Sequence, residues 1–378
     1  MKLKCICVVL LIATVFAGCK KDPFVPDYTS FYKTYSSAGD LMGRDILKHN
    51  NGFVVCGFGN GPLNDNDLFL FFTDSAGNET ERRFIGTAGN DQCWSFVKAN
   101  DGGYVISGWS DVNTPGTSDV LIVKTDAEGN QLWSKTYGGI YNDLSTDIIA
   151  VNDGYVVAGI LGGSADENIW ILRLDNNGDT LWTYTYGGNA ADGAMNVCNN
   201  GDGSYGITGY TNSSGNGSTD GFLMNVNDAG AMTGYFPFGT SGYEEPHCIT
   251  KIENGWIISG HAGTTDIHTH NVFLQFINEN GSAGNYFTYG DHEHEGAEAM
   301  ILFRDKIYIT ARSASHDPDQ DPYTLKIDLN GNLISQDWLG NENEDPAYGM
   351  YVDANQVMIT GYMLDPASGR KNLFLLRK

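Results

Sequence analysis

Seven of the eight histidines in this chain fall between residues 247 and 316, and four of them form two closely spaced pairs. One pair is His268-Thr269-His270 and the other is His292-Glu293-His294. In an extended segment residues i and i+2 point to the same side, so each pair can offer two imidazoles to one ion. Adjacent carboxylates could complete the shell or orient the rings. The sequence therefore predicts a site for a divalent ion, Zn²⁺, Mn²⁺ or Ca²⁺, formed by His268, His270, His292, His294, Glu293 and Glu295.

These loops also have a simpler interpretation. Surface loops rich in Asp, Asn, Gly and His are common, and no metal motif with fixed ligand spacing is present. A solvated polar rim is therefore the alternative to a metal site. The other three histidines of this group, His247, His261 and His316, are assigned to a ligand-binding face.

Familiar catalytic motifs are missing from the chain. It has no Gly-x-Ser-x-Gly elbow, no Walker loop and no His-Glu-x-x-His. The glycines of residues 57–61 (GFGNG) follow a strand but open no helix, which excludes a dinucleotide site. The sequence thus assigns no catalytic residue and favours a non-enzyme.

The histidines must be positioned by a repeat that runs through the whole chain. One pattern recurs at a spacing of about 50 residues, and a glycine that closes a short apolar run marks each copy. The sixth copy has alanine instead. The markers are Gly57, Gly108, Gly159, Gly209, Gly260, Ala311 and Gly361.

Each copy reads as four short strands separated by turns. The turn between the third and fourth strands has an Asx residue followed by glycine, as in Asp74 to Gly77 and Asp175 to Gly178. No sustained 3.6-residue apolar period follows the first eighteen residues, so helix should be nearly absent. Four-stranded antiparallel sheets repeated at this period are typical of β-propeller blades.

The two ends of the chain predict how the ring closes. The seventh copy stops at Lys378 without a fourth strand, whereas Phe31 to Tyr35 resembles a fourth strand at the other end. We therefore predict an all-β, seven-bladed β-propeller over residues 29–378. In it, an N-terminal strand at about 30–36 completes the C-terminal blade and covers exposed strand edges.

Acidic residues recur where each copy begins, and two explanations are open. Carboxylates near the axis could focus a negative potential at the channel mouth. Alternatively, each could accept hydrogen bonds from backbone amides of its own connection, which we consider the stronger explanation. We call them the connection carboxylates: Asp40, Asp91, Asp143, Asp192, Glu245, Glu295 and Asp345.

The N-terminus reads as an export signal. Lys2 and Lys4 precede an apolar segment that is too short to span a bilayer. Residues 16–19 (FAGC) resemble a bacterial lipobox, which implies cleavage before Cys19 and acylation of that cysteine. Residues 1–18 are thus the expected lipoprotein signal peptide and residues 19–28 a short tether. Residues 20–22 (KKD) resemble the charged segment of surface-displayed lipoproteins of Gram-negative bacteria, so we expect anchoring to the outer membrane, facing the periplasm or the exterior.

The charge of the chain limits its partners. Its formal net charge is −24, from 22 Lys and Arg against 46 Asp and Glu. Nucleic acid and anionic lipid headgroups are therefore poor partners for the folded domain. Cations, proteins and neutral glycans remain open, and we expect a monomer held on a membrane through Cys19.

Three segments resemble the bacterial seven-bladed β-propeller (SBBP-like) repeat family, which is common among secreted and lipid-anchored proteins. They are residues 101–108 (DGGYVISG), 124–139 (KTDAEGNQLWSKTYGG) and 239–243 (GTSGY). The resemblance covers residues 29–378 and implies the fold and an exported location. It implies no catalytic residue, because the shared motif is structural.

Three functions fit these observations. The favoured one is a lipid-anchored binding or scaffold module that engages a protein or a glycan through its loops, with or without a divalent metal. The second is a metal-dependent carbohydrate-active enzyme, such as a lyase, that uses the histidines of the fifth and sixth copies. The third is a purely structural envelope protein.

Overall fold

The chain folds into seven antiparallel sheets of four strands each in the computed structural model. The structure describes residues 30–61, 66–113, 117–164, 166–263, 270–290, 294–313, 321–339 and 344–378. Within these ranges no residue is helical. The described residues accordingly contain no helix that is long and apolar enough to cross a membrane.

The strands follow one another in simple up-and-down order, and we number the blades I to VII. The chain starts with β1 (Phe31–Tyr35). Blade I contains β2 (Leu41–His49), β3 (Gly52–Asn60), β4 (Asn66–Thr73) and β5 (Glu79–Ile85). Blade II contains β6 (Asp91–Lys98), β7 (Tyr104–Ser110), β8 (Asp119–Thr125) and β9 (Gln131–Tyr137). Blade III contains β10 (Leu144–Val151), β11 (Gly154–Gly162), β12 (Glu167–Asp175) and β13 (Thr180–Tyr186).

The same order continues through the second half of the ring. Blade IV contains β14 (Asp192–Asn199), β15 (Ser204–Thr211), β16 (Asp220–Asn227) and β17 (Met232–Phe238). Blade V contains β18 (Tyr243–Ile252), β19 (Gly255–Gly263), β20 (His270–Asn278) and β21 (Ala283–Tyr289). Blade VI contains β22 (Gly296–Phe303), β23 (Lys306–Ser313), β24 (Asp321–Asp328) and β25 (Leu333–Trp338). Blade VII contains β26 (Ala347–Val352), β27 (Val357–Asp365), β28 (Arg370–Arg377) and β1.

Buried apolar clusters join each blade to the next and make the sheets a ring. Every cluster takes its side chains from two consecutive blades, and the last one joins blade VII to blade I. The middle strands are therefore covered on both faces, which explains why their sequences are continuously apolar. Strand β3, for example, is buried from Gly52 to Gly59. The predicted seven-bladed β-propeller is confirmed.

The ring closes as we predicted from the sequences of the two chain ends. Strand β1 pairs antiparallel with β28, with Tyr32 opposite Leu376 and Thr34 opposite Phe374. The ring of Tyr32 stacks on that of Phe374 with centroids 5.4 Å apart. The first strand of the chain thus supplies the outermost strand of the last blade and leaves no open edge on β28.

Two faces of the ring differ in their connections. The turn face carries the short turns between first and second strands and between third and fourth strands, such as Asp74 to Gly77, where Gly77 has φ of +75°. There the Asp74 carboxylate accepts backbone N–H groups of Ala76 and Asn78, as the Asx-glycine pattern predicts. The loop face carries the loops between second and third strands and the connections between blades.

Three of the connection carboxylates hold their own connections on the loop face. Asp91, Asp143 and Asp192 are buried, and each accepts the backbone N–H of the residue four positions earlier. In blade V this role belongs to Glu244, which accepts the Thr240 N–H, and the assignment of Glu245 to it is wrong. The reason is the strand register, because Glu244 lies opposite Ala262 as Asp192 lies opposite Thr211. Glu245 is thereby free for another role.

Removal of β1 tests the closure of the ring. A chain that begins at Ser36 should lose at least about 3 kcal/mol in free energy of unfolding, because the aromatic packing of Phe31 and Tyr35 against blades I and VII is lost. Urea unfolding followed by tryptophan fluorescence measures this, with a chain that begins at Ser30 as the matched control. Equal unfolding midpoints for the two chains would contradict closure by β1.

Candidate functional site

One backbone irregularity occurs in all seven blades and forms the wall of the central channel. Each innermost strand contains a β-bulge, where one extra residue interrupts the pairing with the second strand. The marker residue, which is Ala311 in blade VI and glycine in the other six, lies opposite this bulge. A Cβ atom on Gly57 would lie only 2.1 Å from the carbonyl oxygen of Met42, so a larger residue does not fit there without a shift. The recurring glycine is thus explained by the bulge.

The extra residue of every bulge lines one cavity of about 320 Å³ on the axis of the ring. These seven bulge residues, in blade order, are Arg44, Trp94, Thr146, Met195, His247, Glu298 and Tyr348. The β-bulge is the same in every blade, but the side chain of its extra residue differs from blade to blade. A residue required by the bulge itself would recur, as the glycine does. The varied side chains are therefore the part of the repeat that is open to function.

An arginine lies between two aromatic bulge residues. The Cζ atom of Arg44 is 4.3 Å from the ring centroid of Trp94 and 4.1 Å from that of Tyr348. Cation–π contacts with two rings hold the guanidinium in place and leave its N–H groups for other partners. No carboxylate among the described residues forms an ion pair with Arg44. Arg44 thus keeps its positive charge uncompensated by any ion pair that the described residues form.

Histidines and carboxylates meet on the opposite part of the wall, in blades V and VI. His247 and Glu298 are bulge residues of β18 and β22, and their Nδ1 and Oε2 atoms are 3.9 Å apart. His261 on β19 packs against His247 with ring centroids 4.4 Å apart, and its Nε2 is 4.0 Å from Glu298 Oε1. We call His247, His261 and Glu298 the channel triad.

Two charged neighbours hold the channel triad in place. Glu245 Oε1 is 3.3 Å from His247 Nε2, and Tyr243 donates its hydroxyl to the other oxygen of Glu245. On the far side, Arg312 Nε forms an ion pair with Glu298 Oε1 at 2.5 Å. His247 and Glu298 therefore each have a partner that limits their rotation.

Burial and these contacts shift the pKa values of the site in opposite directions. Burial raises the pKa of Glu245, but the hydrogen bond and charge of His247 and the hydrogen bond of Tyr243 outweigh it and lower the pKa to about 2. Burial lowers the pKa of His261 well below its usual range, and the charges of His247 and Arg312 add to this. At neutral pH Glu245 is thus ionised and His261 is neutral.

Of the histidines that the sequence predicted as metal ligands, the structure describes His270 and His294, and both lie near the channel triad. His270 begins β20 and stacks on Tyr243 with ring centroids 5.1 Å apart, and its ring is 6.2 Å from that of His261. His294 meets His270 edge-on at 5.8 Å. Glu295 is buried and accepts the Ser313 hydroxyl. His268, His292, Glu293, His316 and Cys19 lie outside the described residues.

Sequence reasoning assigned His247 and His261 to a ligand-binding face; the structure places His247 in the wall of the cavity and His261 behind it, packed against His247. It missed Glu298 and Arg312, and also Arg44 with its two aromatic neighbours. A simple count could have found the bulge residues, since each lies thirteen or fourteen positions before its marker residue. Arg312 and His261 share another position, directly after the marker.

Directly after the bulge residue in three blades, a buried or half-buried polar side chain forms hydrogen bonds to a neighbouring blade. Asp147 accepts the backbone N–H of Val197 in blade IV at 3.0 Å and the Ser95 hydroxyl of blade II at 2.8 Å. Asn196 occupies the equivalent place in blade IV and accepts the Ile249 N–H of blade V. Asp45 occupies this place in blade I and accepts the backbone N–H of Phe96 in blade II. Burial raises the pKa of Asp45 to about 7.

No family model and no curated protein matches the chain. Solved structures with the same fold do match. The β-propeller domain of the trilobed protease from Pyrococcus furiosus is 12% identical, with a TM-score of 0.54 over 91% of this chain and 96% of that one. The polysaccharide lyase Uly1 is 10% identical, with a TM-score of 0.56 over 94% of each chain. The phage phi92 endosialidase is 10% identical, with a TM-score of 0.53 over 93% of this chain and 69% of that one.

These comparisons agree on one point. The chain is a β-propeller protein. At such low identities the similarity shows the fold alone, so the chemistry of this propeller must be argued from its own channel.

The raised pKa of Asp45 predicts a pH-dependent stability. Because its folded pKa is about 7 and its ordinary value is 3.8, the folded protein keeps a proton that the unfolded chain releases between these values. The stability contributed by neutral Asp45 is complete below about pH 3.8 and is lost as the pH rises through 7. Asp45→Asn should remove this loss, which is on the order of 4 kcal/mol at about 1.4 kcal/mol per pKa unit.

Urea unfolding at pH 4.5 and pH 8 measures the effect. The Asn variant should gain stability relative to the parent protein at the higher pH, because Asn196 shows that an amide fits this position. Asp305→Asn, at an exposed turn, is the matched control and should leave the pH dependence unchanged. The same pH dependence in the Asp45 variant and the parent would contradict the assignment.

Proposed function

We propose that this protein is an exported, lipid-anchored binding module whose central channel binds a glycan that carries carboxylate groups. The observation that carries the proposal is Arg44, held between Trp94 and Tyr348 without an acidic partner among the described residues. An arginine fixed in this way is prepared to receive a planar anion.

The shape of the guanidinium supports a carboxylate ligand. It is held by two aromatic rings, and its N–H groups match the two oxygens of a carboxylate. Aromatic rings next to it offer apolar surface for the faces of sugar rings. A uronate residue presents both features, a carboxylate and an apolar ring face.

The charge of the rest of the protein supports selectivity. With a net charge of −24, the surface repels polyanions at long range. An acidic glycan would therefore be retained only where local positive groups outweigh this repulsion. Arg44, in the cavity beside Tyr348, supplies such a positive group.

A lyase acting on the same class of glycan is the second candidate. Besides Arg44, the cavity contains His247, which is 3.3 Å from Glu245, and the hydroxyl-bearing Tyr348. Elimination next to a uronate carboxylate needs a positive group on the carboxylate and a proton acceptor near the ring. The fold is compatible with such an activity, since Uly1 is a polysaccharide lyase.

The location in the cell envelope belongs to the same proposal. Its support is the sequence alone, in the apolar segment before Cys19 and in the likeness of residues 101–139 to a repeat family of exported proteins. Acylation of Cys19 would hold the propeller on the membrane, since each buried CH₂ group contributes about 0.8 kcal/mol.

Replacing Arg44 tests the proposed ligand. Arg44→Gln should weaken binding of uronate oligosaccharides by about 10- to 100-fold, the value of one charge-assisted hydrogen-bonded pair. Isothermal titration calorimetry measures this, with Arg370→Gln on the exposed start of β28 as the matched control. Binding that survives Arg44→Gln, or a parent protein that binds no uronate oligosaccharide, would contradict the proposal. Release of an unsaturated product, seen by ultraviolet absorbance, would favour the lyase over the binding module.

Replacing Cys19 tests the anchor. The parent protein expressed in a Gram-negative host should incorporate labelled palmitate and partition into detergent, whereas Cys19→Ser should do neither. Cys56→Ser, at a buried core position, is the control and should retain the label. Palmitate incorporation that persists in Cys19→Ser would refute acylation at this residue.

A further inference from the structure

We propose that the channel triad, His247, His261 and Glu298, binds one divalent transition-metal ion of the Zn²⁺ class. This site is separate from the set predicted by sequence and does not depend on the glycan proposal. It lies on the channel wall between blades V and VI.

The ligand atoms of the channel triad are close enough to share an ion. One nitrogen from each histidine and one oxygen of Glu298 all lie within 4.8 Å of one another. A tetrahedral Zn²⁺ with bonds of about 2.0–2.1 Å holds its ligand atoms about 3.4 Å apart. Displacements of the ligand atoms by about 1 Å, through side-chain rotation, are therefore sufficient to close the triad around an ion.

The neighbours of the channel triad leave Nδ1 of His247 and Oε2 of Glu298 available to bind an ion. Glu245 occupies the Nε2 side of His247 at 3.3 Å, so Nδ1 faces Glu298. Arg312 holds Oε1 of Glu298, so Oε2 faces His247 at 3.9 Å. A carboxylate behind a ligating histidine is the usual outer partner in protein metal sites, since it fixes the ring and raises its basicity.

His261 provides an independent observation. Its Nε2 atom is buried and has no hydrogen-bond partner among the described residues. A buried polar atom without a partner costs about 1–3 kcal/mol, and this nitrogen points toward Glu298. A metal ion bound there would satisfy it.

The donors select the class of ion. Two imidazoles and one carboxylate suit Zn²⁺ and similar borderline ions, whereas Ca²⁺ prefers six to eight oxygen ligands. Glu245 and Glu298 together outweigh the single charge of Arg312, so a cation is also favoured electrostatically. Three protein ligands would leave one tetrahedral position open.

The scaffold makes the site rigid. His247 and Glu298 are bulge residues of innermost strands, and His261 lies directly after a marker glycine on β19. Strands position ligands more accurately than loops do. The sequence-predicted set depends instead on the loop residues next to His270 and His294, so the two sets can be tested against each other.

Zn²⁺ binding to the chelator-treated full-length protein tests the proposal. The parent protein should retain one ion per chain after gel filtration, and His247→Gln, His261→Gln or Glu298→Gln should each weaken Zn²⁺ affinity at least about 100-fold. Glu245→Gln, a positioning change, should weaken it about 10- to 100-fold. His294→Gln is the matched control and should bind Zn²⁺ as the parent does.

A spectroscopic measurement on the parent protein keeps the test independent of variant folding. Co²⁺ in place of Zn²⁺ should give the intense visible bands of a four- or five-coordinate ion. Absence of bound Zn²⁺ in the parent, the weak spectrum of six-coordinate Co²⁺, or loss of binding in His294→Gln with retention in His247→Gln would each overturn the proposal.

Discussion

The close contact between a glycine and a β-bulge is the constraint on which this protein depends. In blade I the second strand passes so near the first that a Cβ atom on Gly57 would meet the Met42 carbonyl. The bulge on the facing strand turns one extra residue toward the axis. Because the contact is made of backbone, it places no demand on that residue's side chain. The fold thus fixes seven positions around a channel and leaves their chemistry free.

The use of these positions divides the channel into two chemically different parts. Blades VII, I and II contribute the aromatic pair and Arg44, which carry positive charge on an apolar surface. Blades V and VI contribute imidazoles and carboxylates, with Arg312 at the boundary. A ligand that enters the channel meets both parts at once, so the two proposals concern neighbouring surfaces of one cavity.

Most of the fold could be predicted from the sequence because its causes are local. Asx-glycine turns, apolar middle strands and the spare strand at residues 31–35 each carry their own chemical reason. The site depends on register, which a single sequence does not display. A shift of one residue separates Glu244, which holds a connection, from Glu245, which orients His247. Likewise, Glu298 gave no sequence pattern, because its partners are His247 and His261, which precede it by 51 and 37 positions.

The way the ring closes also decides on which side the chain enters it. Strand β1 runs from the turn face to the loop face, since its first residue, Phe31, lies opposite Arg377 beside the turn of blade I. The chain therefore enters the ring at its turn face. The loop face, toward which β1 runs, carries the loops between second and third strands, so the N-terminal segment enters the ring on the side opposite these loops.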